Sequence, residues 1–180
     1  MFKLTITYKF EEPKIKQEEI FNEMLTQVGK FYKSKVVEKL NKKTTSQGTV
    51  MTPIATGTIK YRDKMGYSGI EPLKMTGKLE KSISYKVNNK AGRVTIISDF
   101  DGGPIMNLKT GKLHDKKPNK DLPFTLAYGT KDGHIPARDF INLTKQEQES
   151  LNILIGYYLK MYTTGMILDI LKSYSKGGKR

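Results

Sequence analysis

Two long stretches in which apolar residues recur every three or four positions bracket this 180-residue chain, and they constrain its fold most. Between about 14 and 40, Ile20, Phe21, Met24, Leu25, Val28, Phe31, Tyr32, Val36 and Leu40 keep a 3.6-residue period, which predicts an amphipathic helix. Pro13 falls near its first turn, where a missing amide donor costs little. Between 145 and about 174, Leu151, Leu154, Ile155, Tyr158, Leu159, Tyr162, Met166, Ile167, Ile170 and Leu171 predict a second helix. Thr144 and Glu147 stand three apart, the spacing of a reciprocal capping box, and place its start. Gly156 and Gly165 each weaken that helix by about 1 kcal/mol relative to alanine, so a close contact there is expected to compensate. The apolar stripe of the first helix reads as core packing before it reads as a groove for a partner.

Something apolar must lie against such helices, and the remaining patterns supply a sheet. Phe2, Leu4, Ile6, Tyr8 and Phe10 alternate with polar residues, which predicts a half-buried strand and not the continuous apolar core of a signal peptide. Residues 84–88 and 93–98 alternate on either side of Asn88-Asn89-Lys90-Ala91-Gly92, a hairpin with a glycine in its turn. Residues 122–128 read as a short strand returning to the body. These elements predict one α+β domain over residues 1–180, a small, mostly antiparallel sheet covered by the long N-terminal and C-terminal helices, with extended loops. Residues 41–72, rich in Thr, Ser, Gly and Pro, read as an extended, exposed connection whose Lys60, Arg62 and Lys64 are candidate partner contacts. Residues 100–123 read as a long basic loop, functional or disordered, with Lys109, Lys112, Lys116, Lys117 and Lys120 as further candidate contacts. The end of the chain, 175–180, reads as a flexible basic tail.

Charge bears on partners more than on fold. With 32 Lys+Arg against 18 Asp+Glu the chain carries +14, which favours nucleic acid, an acidic protein face or an anionic surface. No cysteine is present, so disulfides, thiolate metal sites and cysteine nucleophiles drop out. The two histidines, His114 and His134, lack the helical register of metal ligands, and Asp99-Phe100-Asp101-Gly102 lacks the later oxygen ligands of a calcium loop. Neither a nucleophile elbow nor a phosphate-cradling glycine loop occurs, so no catalytic, cofactor or metal site is expected. Paired carboxylates, Glu18 with Glu19 and Glu147 with Glu149, sit near helix N-termini and favour the helix dipole there. No run of 18 apolar residues occurs, so a product soluble in the cytoplasm is expected, with no membrane partner.

Two denser segments remain. In the first, Leu73, Thr76, Gly77, Leu79, Ser82 and Ile83 describe a short helix, capped by the Thr76 hydroxyl, that feeds a strand at Ser84. In the second, Tyr128, Gly129 and Thr130 are succeeded by Ile135, Pro136, Ala137, Arg138 and Phe140, a loop built to hold a shape. Arg138, its backbone fixed by the flanking residues, suits a bidentate bond to a carboxylate, within the subunit or on a neighbour.

In order and spacing these residues resemble the virion-morphogenesis or tail-completion proteins of tailed bacteriophages, the small head–tail joining proteins of the neck. The resemblance covers about residues 50–145; Asp139 stands where that family usually has proline, the chain has no tryptophan, and 100–123 stands as an insertion. It implies a non-enzymatic structural protein of the connector or neck, a ring subunit assembled in the host cytoplasm. Implied partners are copies of itself, the adjacent connector and tail-terminator or tail-tube rings, and DNA passing the channel, which it would contact without reading sequence. The +14 charge on its own points to an alternative, a basic nucleic-acid-binding protein meeting phosphates through the 109–120 lysines and the tail. That alternative lacks a reading helix and aromatics interleaved with the basic cluster.

Overall fold

The computed structural model describes residues 2–7, 15–64, 66–67, 70–73, 77–100, 105–106, 113–114, 122–133 and 135–177. Strand β1 (Phe2–Thr7) is followed by the long helix α1 (Ile15–Lys42) and two short helices, α2 (Thr56–Lys64) and α3 (Lys78–Ser82). The hairpin β2 (Ile83–Asn88) and β3 (Arg93–Ser98) comes next, then a two-residue ladder, β4 (Ile105–Met106) with β5 (Leu113–His114). Helices α4 (Leu122–Tyr128) and α5 (Lys145–Gly177) complete the order. The main sheet is antiparallel throughout in the order β1-β3-β2, which puts β3 in the centre.

Register explains the choice of centre. Leu4 and Tyr85 both oppose Ile96, and Ile6 and Val87 both oppose Val94, so these two fully buried residues of β3 have apolar neighbours on either side. The turn that closes the hairpin uses the Asn88 side chain, which accepts the Ala91 amide at 3.1 Å, and Gly92 at φ 56°.

The strand–helix–hairpin reading and the α+β class hold, and the first helix runs two residues beyond the expected end. It stops where Lys43 turns left-handed at φ 56°, and Thr44 donates back to the Lys39 carbonyl at 3.1 Å. The face of α1 carrying Met24, Leu25, Val28, Tyr32, Val36 and Leu40 is buried, against β2, β3 and α5. Helix and sheet pack tightly at Gly29, a position the periodicity does not mark. A Cβ there would run into the Tyr85 ring of β2.

The sheet packs with the two long helices as expected, α1 lying on β2 and β3 and α5 on α1. Several finer expectations fail for identifiable reasons. The 41–72 connection contains α2, a nine-residue helix whose local signal is weak and whose Arg62 is buried and bonded to the Glu71 carbonyl at 2.7 Å. Residues 122–128 form a helix and not a strand, because Pro123 removes a ladder donor from a strand but costs nothing in a first helical turn. The Leu122/Leu126 and Pro123/Ala127 spacings of four were the available signal, and Pro123 and Ala127 are both fully buried. Gly156 and Gly165 face open space, so no contact offsets their cost among the described residues. The 100–123 stretch carries the β4–β5 ladder; its five lysines, like Thr76, Tyr8, Phe10 and 178–180, lie outside the described residues.

Candidate functional site

The second dense segment closes on itself. The Thr130 amide donates to the Ile135 carbonyl at 2.9 Å, and the Thr130 hydroxyl accepts the Ile135 amide at 3.0 Å. Gly133 at φ 72° turns the chain between them, its amide bonded to the Thr130 carbonyl at 3.0 Å. Gly129 is needed twice over: its φ is 77°, and a Cβ would meet the Ile135 carbonyl at 2.7 Å and the Ala137 amide at 2.8 Å. The Arg138 amide then returns to the Ala127 carbonyl of α4 at 2.9 Å. Residues 128–133 and 135–138 thus form two loop halves that hold each other.

Arg138 and Asp139 tie that loop to the chain after α1. Arg138 is buried, and its Nε donates to the Thr52 carbonyl at 3.0 Å, Nη2 to Pro53 at 3.3 Å and Nη1 to Pro136 at 3.5 Å. These are neutral carbonyls, so among the described residues Arg138 makes a backbone clamp where an internal carboxylate bond was one of the two expected alternatives. Asp139, the residue departing from the resembled pattern, accepts the Ser46 hydroxyl at 2.5 Å and the Asn142 side chain at 3.0 Å. Burial pushes the Asp139 carboxyl up, but the bonds from Ser46 and Asn142 outweigh it and hold the group below the usual carboxylate range. Phe140 and Ile141, fully buried, plug the core beneath.

The first dense segment lines the same cavity as the second. Gly77, at φ 69°, is the residue preceding α3, so a glycine stands where the Thr76 hydroxyl was expected to cap. Leu73 holds a left-handed backbone at φ 60°, a conformation that costs a non-glycine residue on the order of 1 kcal/mol. Ser82 closes α3 by donating to the Leu79 carbonyl at 2.6 Å and pairs with the buried Ser98 of β3 at 2.7 Å. Ser82 and Ile83 therefore belong to the scaffold.

That cavity is a cleft of about 550 Å³. Leu73, Gly77 and Leu79 from the first segment and Ile135, Pro136 and Arg138 from the second line it, with Ala55, Phe100, Leu122 and Leu126. Arg62, expected to be an exposed contact, is buried and lines it too, whereas Lys60 and Lys64 are exposed on α2. Tyr128 stays at the surface beside Asn142, whose amide donates to its hydroxyl at 3.3 Å. Burial first, and then the charge of Arg62, lower the pKa of Arg138; burial does the same to Arg62. The described lining residues include three cations, Arg62, Lys78 and Arg138, and no carboxylate.

No family model, curated protein or solved structure matches this chain. The chemistry of the cleft must therefore be read from its own residues. Its described lining is largely apolar with three cations, and Thr58 is the one hydroxyl side chain in it. Among the described residues, no group of His, Asp and Glu is arranged to hold a metal ion, and no helix is long and apolar enough to cross a membrane.

Sequence reasoning missed a second junction as well. Lys39 of α1 and Glu147 of α5 form an ion pair in which the lysine side chain is 4% and the glutamate 15% exposed. The same Glu147 completes the capping box, accepting the Thr144 amide at 2.8 Å while its own amide donates to the Thr144 hydroxyl at 3.1 Å.

Proposed function

We propose that this chain is a structural protein of the tailed-bacteriophage neck, a ring subunit that completes the tail or joins it to the head. One observation carries the reading. The two sequence segments that resemble the family, about fifty residues apart, line one cleft, and the second is clamped through Arg138 to the chain that follows α1. A pattern whose parts meet in space suits a protein that works by presenting surfaces to neighbours. Ring subunits use heterologous contacts, in which a convex feature of one copy meets a concave feature of the next. The exposed lysines and the +14 charge suit acidic neighbours and a channel that carries DNA.

Light scattering of the purified chain at about 0.05 and 0.5 M salt, with and without a short duplex, joined to negative-stain imaging, tests this. The expected result is closed rings, formed alone or on addition of purified connector, and no tight duplex binding at about 0.15 M salt. Binding to the duplex with a steep salt dependence, and no ring under any condition, replaces this reading with the basic nucleic-acid-binding one, since counterion release marks phosphate contacts.

A further inference from the structure

Helix α5 buries one side against α1 and leaves the opposite side bare. Glu149, Ile153, Gly156, Lys160 and Ile167 follow one another at helical spacings, so they share a face, and all are exposed, Ile153 at 74% and Ile167 at 58%. Tyr157, 60% exposed, borders the same stripe. Its charges are few and balanced. Lys160 is the one charged residue between 150 and 167, and over 145–167 the cations Lys145 and Lys160 are matched by the anions Glu147 and Glu149, so the +14 of the chain is carried elsewhere. The side chains of Glu149 and Lys160 have no partner among the described residues, and about 16 Å of helix keeps them from pairing with each other.

Two copies of this stripe fit together in one direction only. Laid parallel, they set Glu149 against Glu149 and Lys160 against Lys160, which repels at both ends. Laid antiparallel about a two-fold axis between Ile153 and Gly156, each Glu149 faces the partner's Lys160, and each Ile153 faces the partner's Gly156, where the absence of a side chain leaves open space. We propose that the exposed face of α5 is a self-association surface, pairing antiparallel with the same face of a second copy of this chain. Charge complementarity selects that occupant, because the stripe carries its own counter-charges in the order that a two-fold axis requires. The contact is isologous and closes at two copies, so it goes beyond the neck reading and draws nothing from it. A single helix pair falls at the low end of specific interfaces, about 1,200 Å², so the dimer is weak and the face is bare in dilute solution.

Sedimentation velocity of the full-length chain from about 5 to 500 µM, in about 0.15 M salt, tests the proposal. The expected result is monomer at the lowest concentration and dimer at the highest. Glu149→Lys and Lys160→Glu each place like charges at both ends of the pair, and each is expected to weaken the dimer about tenfold, whereas the two together restore it. Both positions are exposed, so the variants keep the fold, which unchanged circular dichroism and urea midpoints check. A monomer at every concentration overturns the proposal. So does a dimer that neither single variant weakens, which puts the contact on another face, or one that the double variant fails to restore, which breaks the antiparallel register. Closed rings that persist in both single variants, with no dimer, overturn this contact and leave the neck reading standing, so the two fail separately.

Discussion

Helices α1 and α5 look alike in sequence, two apolar-periodic stretches of similar length, yet the structure uses them differently. The apolar stripe of α1 is buried from Met24 to Leu40, with a glycine, Gly29, set against the Tyr85 ring of the sheet. In α5, Leu151 and Ile155 are buried and Leu154, Tyr158 and Leu159 half-buried, while Ile153, Tyr157, Met161, Met166 and Ile167 are exposed. The ties between the two lie near the end of α1 and the start of α5: Lys39 with Glu147, then Ser46 with Asp139 just ahead of α5. A helix is held by what it packs against and not by its own periodicity. The same apolar spacing therefore means core in one place and surface in the other.

The largest effect should come from cutting the tie at the base of α5. Glu147→Ala removes the cap and leaves Lys39 buried without its partner, so a loss of about 3–5 kcal/mol is expected in urea unfolding. Combining Lys39→Met with Glu147→Gln should recover much of that loss, because no charge is then stranded. If the single and double variants are equally destabilised, the pair does not join the helices.

Truncating an apolar residue on each helix should differ next in effect. Leu25→Ala in α1 should cost about 2–5 kcal/mol, whereas Ile153→Ala in α5 should change stability by less than about 0.5 kcal/mol. Similar losses at both sites would mean that the exposed side of α5 is covered in solution. The glycines sharpen the contrast. Gly29→Ala should destabilise by about 1–3 kcal/mol through its clash with Tyr85, despite a better helix propensity. Gly156→Ala, facing open space, should stabilise by about 0.5–1 kcal/mol, and the opposite sign would show a contact at that face.

The smallest effect is one of pH. The Asp139 carboxyl is held below its ordinary range when folded, so its contribution is complete above about pH 4 and disappears as pH falls through the lowered pKa. Asp139→Asn should therefore be less stable than the parent at about pH 7, with the gap narrowing in acid. A gap that stays constant down to about pH 2 would remove the carboxylate's bonds to Ser46 and Asn142 as the cause.

Much of this was written in local pattern. The 3.6-residue spacing of α1, the alternation around Asn88–Gly92 and the Thr144/Glu147 box each act within a few residues, and each appeared where the sequence put it. The short elements were less legible. Helix α2 owes its place to the burial of Arg62 more than to its own composition, and α4 needed Pro123 to be read as a helix start. Of the candidate site, the residues were found but their work was not. Arg138 clamps carbonyls, Arg62 turns inward, and Asp139 stitches the loop to Ser46 across 93 residues.

The sequence by itself determined where the two long helices and the hairpin lie, because hydrogen bonds, caps and turn conformations are satisfied between near neighbours. Only the tertiary structure decided which apolar faces are core, which glycine is needed, and that two distant segments line one cleft. Those outcomes depend on which surfaces meet, and no local pattern carries that information.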